Sequence, residues 1–90
     1  MLKPEYASAF NRDIKRCQKR GWDMSLLKAV VKDLLLEKPL DPVYQDHPLY
    51  GNWKGCRELH ILPDWLLIYR YNNDVVYFAR TGTHSDLLKR

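Results

Sequence analysis

Three histidines and one aspartate in the second half of the chain are the residues whose types suit proton transfer. His47, His60 and His84 are the only histidines, and Asp64 follows His60 by four residues. Imidazole titrates near neutral pH, and a sheet can bring residues that are distant in sequence onto one face. The pattern therefore predicts an acid-base site. No P-loop, dinucleotide fingerprint or metalloprotease motif offers a competing chemistry.

A metal site is the alternative use of the same residues, because three histidines and a carboxylate can complete a zinc shell. The spacing argues against it, since His60 and Asp64 flank a turn and no short His-x-His pair anchors a site. Single histidines also commonly serve only as hydrogen-bonded surface groups. Cys17 and Cys56 are too few for a disulfide scaffold and too far apart for a zinc knuckle. We predict neither a metal nor another cofactor.

The first 40 residues are expected to form two helices. Tyr6 and Phe10 begin the apolar face of an amphipathic first helix, which ends at Gly21. Asp23 is placed to cap a second helix over residues 24–37, whose wide apolar stripe predicts that it is mostly buried. Helical periodicity thus assigns both helices to the N-terminal part of the chain.

The remaining residues change to a period of two. An extended loop over residues 40–50, interrupted by prolines, carries His47. Short strands with hairpin connections then follow at residues 53–61, 65–71 and 75–81, and the tail at 82–90 is a turn with at most a short helix. The expected fold is α+β, with two N-terminal helices packed on a small twisted antiparallel sheet in a single domain, residues 1–90.

The formal charge of +4 comes entirely from the first part of the chain. Residues 1–40 hold nine Lys or Arg against five Asp or Glu, and residues 41–90 hold six of each. Part of this excess follows helical spacing on one side of the first helix, as a basic stripe of Arg12, Lys15, Arg16, Lys19 and Arg20. Such a stripe is either a solvated face or a polyanion-binding surface. Beside candidate catalytic histidines we predict RNA as its partner, with contacts from Arg16 and Lys19.

No apolar run approaches the roughly 18 residues needed to cross a bilayer. The first five residues lack the apolar core and cleavage site of a signal peptide. We therefore expect a cytoplasmic protein that does not associate with membranes.

Four segments carry a specific resemblance: Asp-His-Pro-Leu at 46–49, Gly-Asn-Trp-Lys-Gly-Cys-Arg-Glu-Leu-His at 51–60, Pro-Asp-Trp-Leu-Leu-Ile-Tyr at 63–69 and Arg-Thr-Gly-Thr-His at 80–84. Together they resemble the YafQ family of bacterial toxins, which belongs to the RelE/ParE superfamily of type II toxin-antitoxin systems. The likeness extends essentially from end to end, although residues 1–40 match only in pattern. It implies a RelE-like fold.

The resemblance also implies an mRNA interferase: a metal-independent endoribonuclease that cuts mRNA in the ribosomal A site. It assigns His47, His60, Asp64 and His84 to the active site. His84 is expected to be the general acid, with His60 or Asp64 as the base and His47 assisting. Leu88 stands where the family has an aromatic residue, which puts the contact supplied by that residue in doubt.

Further expectations concern RNA contacts and partners. Trp65 matches a family tryptophan, and Arg80, Lys54 and Arg57 are candidates to bind phosphate. For Arg57 a structural ion pair is the alternative. The implied partners are mRNA, the 70S ribosome and a cognate antitoxin, usually of the ribbon-helix-helix type. A ParE-like gyrase inhibitor without RNase activity is the competing function, and a plain RNA-binding domain is a third.

Overall fold

The computed structural model describes residues 1–88, except for the side chain of Leu88. The regular elements, in chain order, are β1 (Lys3–Tyr6), α1 (Ser8–Lys19), α2 (Met24–Leu35), β2 (His47–Pro48), β3 (Arg57–Leu62), β4 (Trp65–Asn72), β5 (Val75–Gly82) and α3 (His84–Leu88). Short 3-10 helices flank β2, at Pro42–Tyr44 and Gly51–Trp53. The strands form one sheet in the order β1-β5-β4-β3-β2. The predicted α+β class is confirmed.

The sheet is mixed, which corrects the prediction of a purely antiparallel sheet. Neighbouring strands from β2 to β5 pair antiparallel, whereas β1 pairs parallel to β5. β1 has no strand signal in the sequence because its four residues are all exposed, so no alternation marks it. β2 has none either, since it has two residues and includes Pro48. His47 therefore lies on an edge strand rather than on an extended loop.

Local signals account for both helices. The Asp23 carboxylate accepts the Ser25 backbone N–H at 3.0 Å, which confirms the predicted cap of α2. Gly21 follows α1 with φ +76°, the left-handed conformation that favours glycine after a helix. α2 ends at Leu35 because Glu37 adopts φ +56°, two residues before Pro39. Among residues 1–88, no helix is long and apolar enough to span a membrane.

Alternation along β3 decides where functional side chains can lie. Leu59 and Ile61 belong to the main core, which packs α1 and α2 against the sheet. Glu58 and His60 alternate with them and so point to the opposite face. That face carries a smaller apolar cluster, which consists of Cys56, Leu66, Ile68, Ala79 and Leu87. Candidate site residues on β3 thus lie on the sheet face opposite the two helices.

Candidate active site

Three imidazole rings lie in a row on the sheet face opposite α1 and α2. The ring centroid of His60 is 6.0 Å from that of His47 and 5.7 Å from that of His84. β2 supplies His47, β3 supplies His60, and α3 begins at His84. Edge pairing of β2 on β3, where His47 lies opposite Glu58, brings the first ring into the row. The sequence separation of 37 residues between the outer rings is closed by the sheet.

Asp64 fixes the orientation of His84 from the β3–β4 turn. Its Oδ1 accepts the His84 backbone N–H at 2.9 Å and lies 2.6 Å from the ring Nδ1. These two hydrogen bonds lower the pKa of the Asp64 carboxyl, so it is ionised at neutral pH. A carboxylate only accepts hydrogen bonds, so Nδ1 carries a proton. The remaining ring nitrogen, Nε2, is left for proton transfer.

A second acidic residue anchors the helix turn that presents His84. Asp86 accepts the Thr83 backbone N–H at 2.9 Å, and the Thr83 hydroxyl accepts the Asp86 N–H at 3.0 Å. Two nitrogens of Arg20 reach the Asp86 carboxylate at 2.7 and 3.0 Å, which lowers the pKa of Asp86 strongly. This pair ties the end of α1 to the start of α3.

His47 is oriented by its own backbone. Its Nδ1 lies 2.7 Å from the carbonyl oxygen of Gln45, a residue with φ +51°. A carbonyl oxygen can only accept, so Nδ1 is the protonated nitrogen. His47 Nε2 therefore faces the site and lies 3.5 Å from Glu58 Oε1.

Glu58 is a further functional candidate, which the sequence motifs did not indicate. The residue is 4% exposed, and its Oε1 is also 3.8 Å from His60 Nε2. Within residues 1–88, neither Glu58 Oε2 nor His60 Nδ1 has a hydrogen-bond partner. Buried polar atoms are normally paired, so these two mark a site organised for something other than packing. The signal in the sequence was the i, i+2 spacing of Glu58 and His60 on one strand face.

The same row contains a possible metal-binding group. Ligand atoms of Glu58, His60 and His84 all lie within 4.8 Å of one another. Two imidazoles and a carboxylate match the donors that zinc and copper prefer. The arrangement can therefore exchange protons, and it also has the donors to hold a transition-metal ion.

The Asp46 carboxylate holds the residue just before His47. It accepts the Arg57 Nε–H, with distances of 3.3 Å to Oδ1 and 3.2 Å to Oδ2, and Oδ1 also accepts the Tyr69 hydroxyl at 2.8 Å. Burial and the neighbouring carboxylate raise the pKa of Tyr69, so its hydroxyl remains a donor. For Arg57 the structure thus shows the ion pair that was the alternative to phosphate binding.

Two arginines predicted to contact RNA form ion pairs with acidic residues. Asp13 is 1% exposed and accepts from Arg80 Nε at 2.7 Å, Arg80 Nη2 at 3.0 Å and the Thr81 N–H at 3.1 Å. Arg16 Nη1 lies 3.4 Å from Asp13 Oδ1 and 3.8 Å from Asp86 Oδ1. Because a buried carboxylate needs a compensating charge, Arg80 has a structural task. The phosphate contact of Arg80 stays a prediction beside this structural task.

The other predicted RNA contacts differ in exposure. Trp65 is 2% exposed, and its indole N–H donates to Thr81 Oγ1 at 2.9 Å. It belongs to the core, and its RNA contact stays a prediction. Lys19 and Lys54 are exposed. The prediction for Leu88 falls on a side chain outside the described residues.

Comparisons with known proteins identify relatives of this chain. The family described as YafQ, bacterial toxins of type II toxin-antitoxin systems, matches residues 2–89. The mRNA interferase toxin YafQ of Escherichia coli K12 is 46% identical over 84 residues, which cover 92% of this chain and 91% of that protein. A crystal structure of the E. coli DinJ-YafQ complex has a TM-score of 0.89 at 44% identity, with 97% of this chain and 98% of that chain covered. A crystal structure of a metal-bound toxin from Helicobacter pylori has a TM-score of 0.90 at 43% identity, with 97% of this chain and 99% of that chain covered.

Proposed function

Since this chain belongs to the YafQ family of bacterial toxins of type II toxin-antitoxin systems, we propose that it is an mRNA interferase. Its substrate is mRNA held in the A site of a translating ribosome. The name of its E. coli relative supports RNA cleavage. The observation that carries the proposal is the contact of 2.6 Å between His84 Nδ1 and Asp64 Oδ1, which leaves Nε2 for proton transfer in a ring whose centroid is 5.7 Å from that of His60.

Cleavage proceeds by transesterification within the RNA, in which the 2′-oxygen replaces the 5′-oxygen on phosphorus. The ribose 2′-oxygen loses its proton to a base and bonds to the adjacent phosphorus, and the bond from phosphorus to the 5′-oxygen breaks. His84 enters this step as the imidazolium, protonated on both ring nitrogens beside the Asp64 carboxylate, and donates its Nε2 proton to the departing 5′-oxygen. The products are a 2′,3′-cyclic phosphate and a 5′-hydroxyl end. Each acid-base partner contributes about 10² to 10⁴ in rate.

His60 is the better base of the two candidates that the family resemblance left open. Asp64 Oδ1 is committed to His84, whereas His60 lies between the other two rings. Glu58 Oε1 is 3.8 Å from His60 Nε2, so a buried carboxylate balances the charge that His60 gains with the proton. His47 Nε2 lies next to the same carboxylate and assists.

The proposed partners follow from the charge distribution and from the relatives. Arg12, Lys15 and Lys19 of the basic stripe are exposed and available for rRNA, whereas Arg20, also exposed, pairs with Asp86. E. coli YafQ forms a complex with DinJ, which supports a cognate antitoxin for this chain. We propose the ribbon-helix-helix type for that antitoxin and a cytoplasmic location for the complex.

The deciding experiment is primer extension on a reporter message after induction of the toxin, together with in vitro cleavage on ribosomes programmed with that message. Discrete cuts that appear only when ribosomes are present support the proposal. Intact message accompanied by DNA damage refutes the proposal and supports the ParE-like alternative. His84→Ala, with unchanged folding, is expected to abolish the cuts.

A further inference from the structure

A surface groove of about 310 Å³ adjoins the candidate active site and shares Asp64 with it. It lies between the α1–α2 turn, the first turn of α2 and the β3–β4 turn. Its lining residues are mostly apolar: Trp22, Asp23, Leu26, Leu62, Asp64 and Trp65. The volume is at the lower end of the range for small-molecule sites. The proposed acid-base mechanism makes no use of this groove.

Trp22 provides an aromatic surface in the groove with a fixed orientation. Its ring packs against buried Trp65, with centroids 4.8 Å apart and planes inclined by 51°. The guanidinium of Arg20 lies 5.1 Å from the Trp22 ring centroid, and Arg20 is itself held by Asp86. Partly exposed aromatic rings of this kind are the usual stacking platforms for bases in single-stranded RNA.

The charges at the groove suit a base better than a phosphate. Asp23 and Asp64 both line it, and hydrogen bonds from Ser25 and His84 respectively lower their pKa values. Two carboxylates repel a phosphate group. They accept hydrogen bonds from amino groups, which adenine, cytosine and guanine carry and uracil lacks.

We propose that this groove binds the nucleobase next to the scissile phosphate, stacked on Trp22 and selected by the acidic rim. The inference rests on the proposed RNA cleavage. Because Asp64 both lines the groove and orients His84, a base in the groove is linked to the position of the general acid. Recognition of one base is thereby coupled to the chemical step.

The test compares Trp22→Leu with Trp22→Phe on ribosomes programmed with messages that differ at one base beside the cut. Leucine preserves apolar packing on Trp65 but removes the stacking surface, and phenylalanine retains an aromatic ring. We expect kcat/KM to fall about tenfold for Trp22→Leu and much less for Trp22→Phe, in line with the energy of one stacked base. Asp23→Asn retains the helix cap and is expected to narrow the discrimination against uracil.

A second variant tests the groove without altering Trp22. Leu26 is 37% exposed at the groove, and Leu26→Trp is expected to fill it and lower kcat/KM, while Leu26→Ala leaves it open. The subsite would be overturned if the Trp22→Leu and Leu26→Trp variants folded and kept the kcat/KM and the cut sites of the wild type. Fluorescence titration of His84→Ala with a short RNA separates a failure of the subsite from a failure of the proposed function. Quenching of tryptophan fluorescence that is lost when Trp22→Leu is added supports the subsite even if the wild type cuts nothing. Quenching that persists without Trp22 refutes the subsite.

Discussion

The hydroxyl of Tyr69 donates a hydrogen bond of 2.8 Å to the carboxylate of Asp46, which lies directly before His47. This bond joins β4 to the edge strand that carries the first imidazole. We predict that Tyr69→Phe lowers the free energy of unfolding by about 1 kcal/mol, the usual contribution of one such bond. Chemical denaturation measures the change. Without this bond His47 should also shift, and cleavage should slow several-fold. An unchanged unfolding midpoint would contradict the stabilising role of the bond, and an unchanged cleavage rate would contradict its positioning role.

A buried charge pair connects α1 to β5, and its removal is predicted to be costly. Asp13→Asn leaves Arg80 without the carboxylate that accepts two of its N–H groups. We expect a loss of about 3 kcal/mol in the free energy of unfolding, because an uncompensated charge remains partly buried. Asp74→Asn is the matched control because it removes a carboxylate from an exposed ion pair. The Asp74 side chain is 70% exposed, and its Oδ2 lies 4.0 Å from Lys3 Nζ. Equal effects of the two substitutions would refute the structural assignment of Arg80.

The Arg20–Asp86 pair predicts an acid-sensitive contribution to stability. Arg20 depresses the pKa of Asp86 in the folded state below the value of about 3.9 expected when unfolded. The contribution is therefore fully present above about pH 4 and is lost as the pH falls toward the folded pKa. Asp86→Asn should flatten this acid limb in unfolding measurements between about pH 2 and 5. An acid limb as steep as that of the wild type would show that other carboxylates produce it.

Transition metals are predicted to inhibit the enzyme rather than to support it. An ion bound by Glu58, His60 and His84 would use a ring nitrogen of both proposed acid-base histidines as a ligand, and a metal-bound nitrogen cannot transfer a proton. We expect added copper or zinc to suppress cleavage on programmed ribosomes. A chelator that spares Mg²⁺, and so leaves ribosomes intact, should preserve full activity. Loss of cleavage on chelation, with restoration by zinc, would overturn the metal-independent mechanism.

Much of the fold was predictable because its signals are local. The cap at Asp23 and the alternation along β4 depend on neighbouring residues alone. β1 was missed since it is four exposed residues long and depends on parallel pairing with β5. The Arg80–Asp13 pair joins residues 67 positions apart, and nothing in the spacing of the charges indicated it.

The candidate site was predictable to a similar degree. The family motifs selected the three histidines and Asp64, which the sheet brings together. They did not select Glu58, whose importance depends on its burial between two imidazoles. They also did not indicate that Trp65 is buried, because a motif does not reveal whether an aromatic side chain faces solvent or the core.

The most direct test of the central claim uses a message in which sulfur replaces the 5′-oxygen at the cut site. Thiolate leaves without needing a proton, so a general acid becomes dispensable on this substrate. His84→Ala should cut the ordinary message at least about a hundredfold more slowly than the wild type. The same variant should cut the sulfur-substituted message at nearly the wild-type rate. An equal defect on both messages would contradict the assignment of His84 as the general acid.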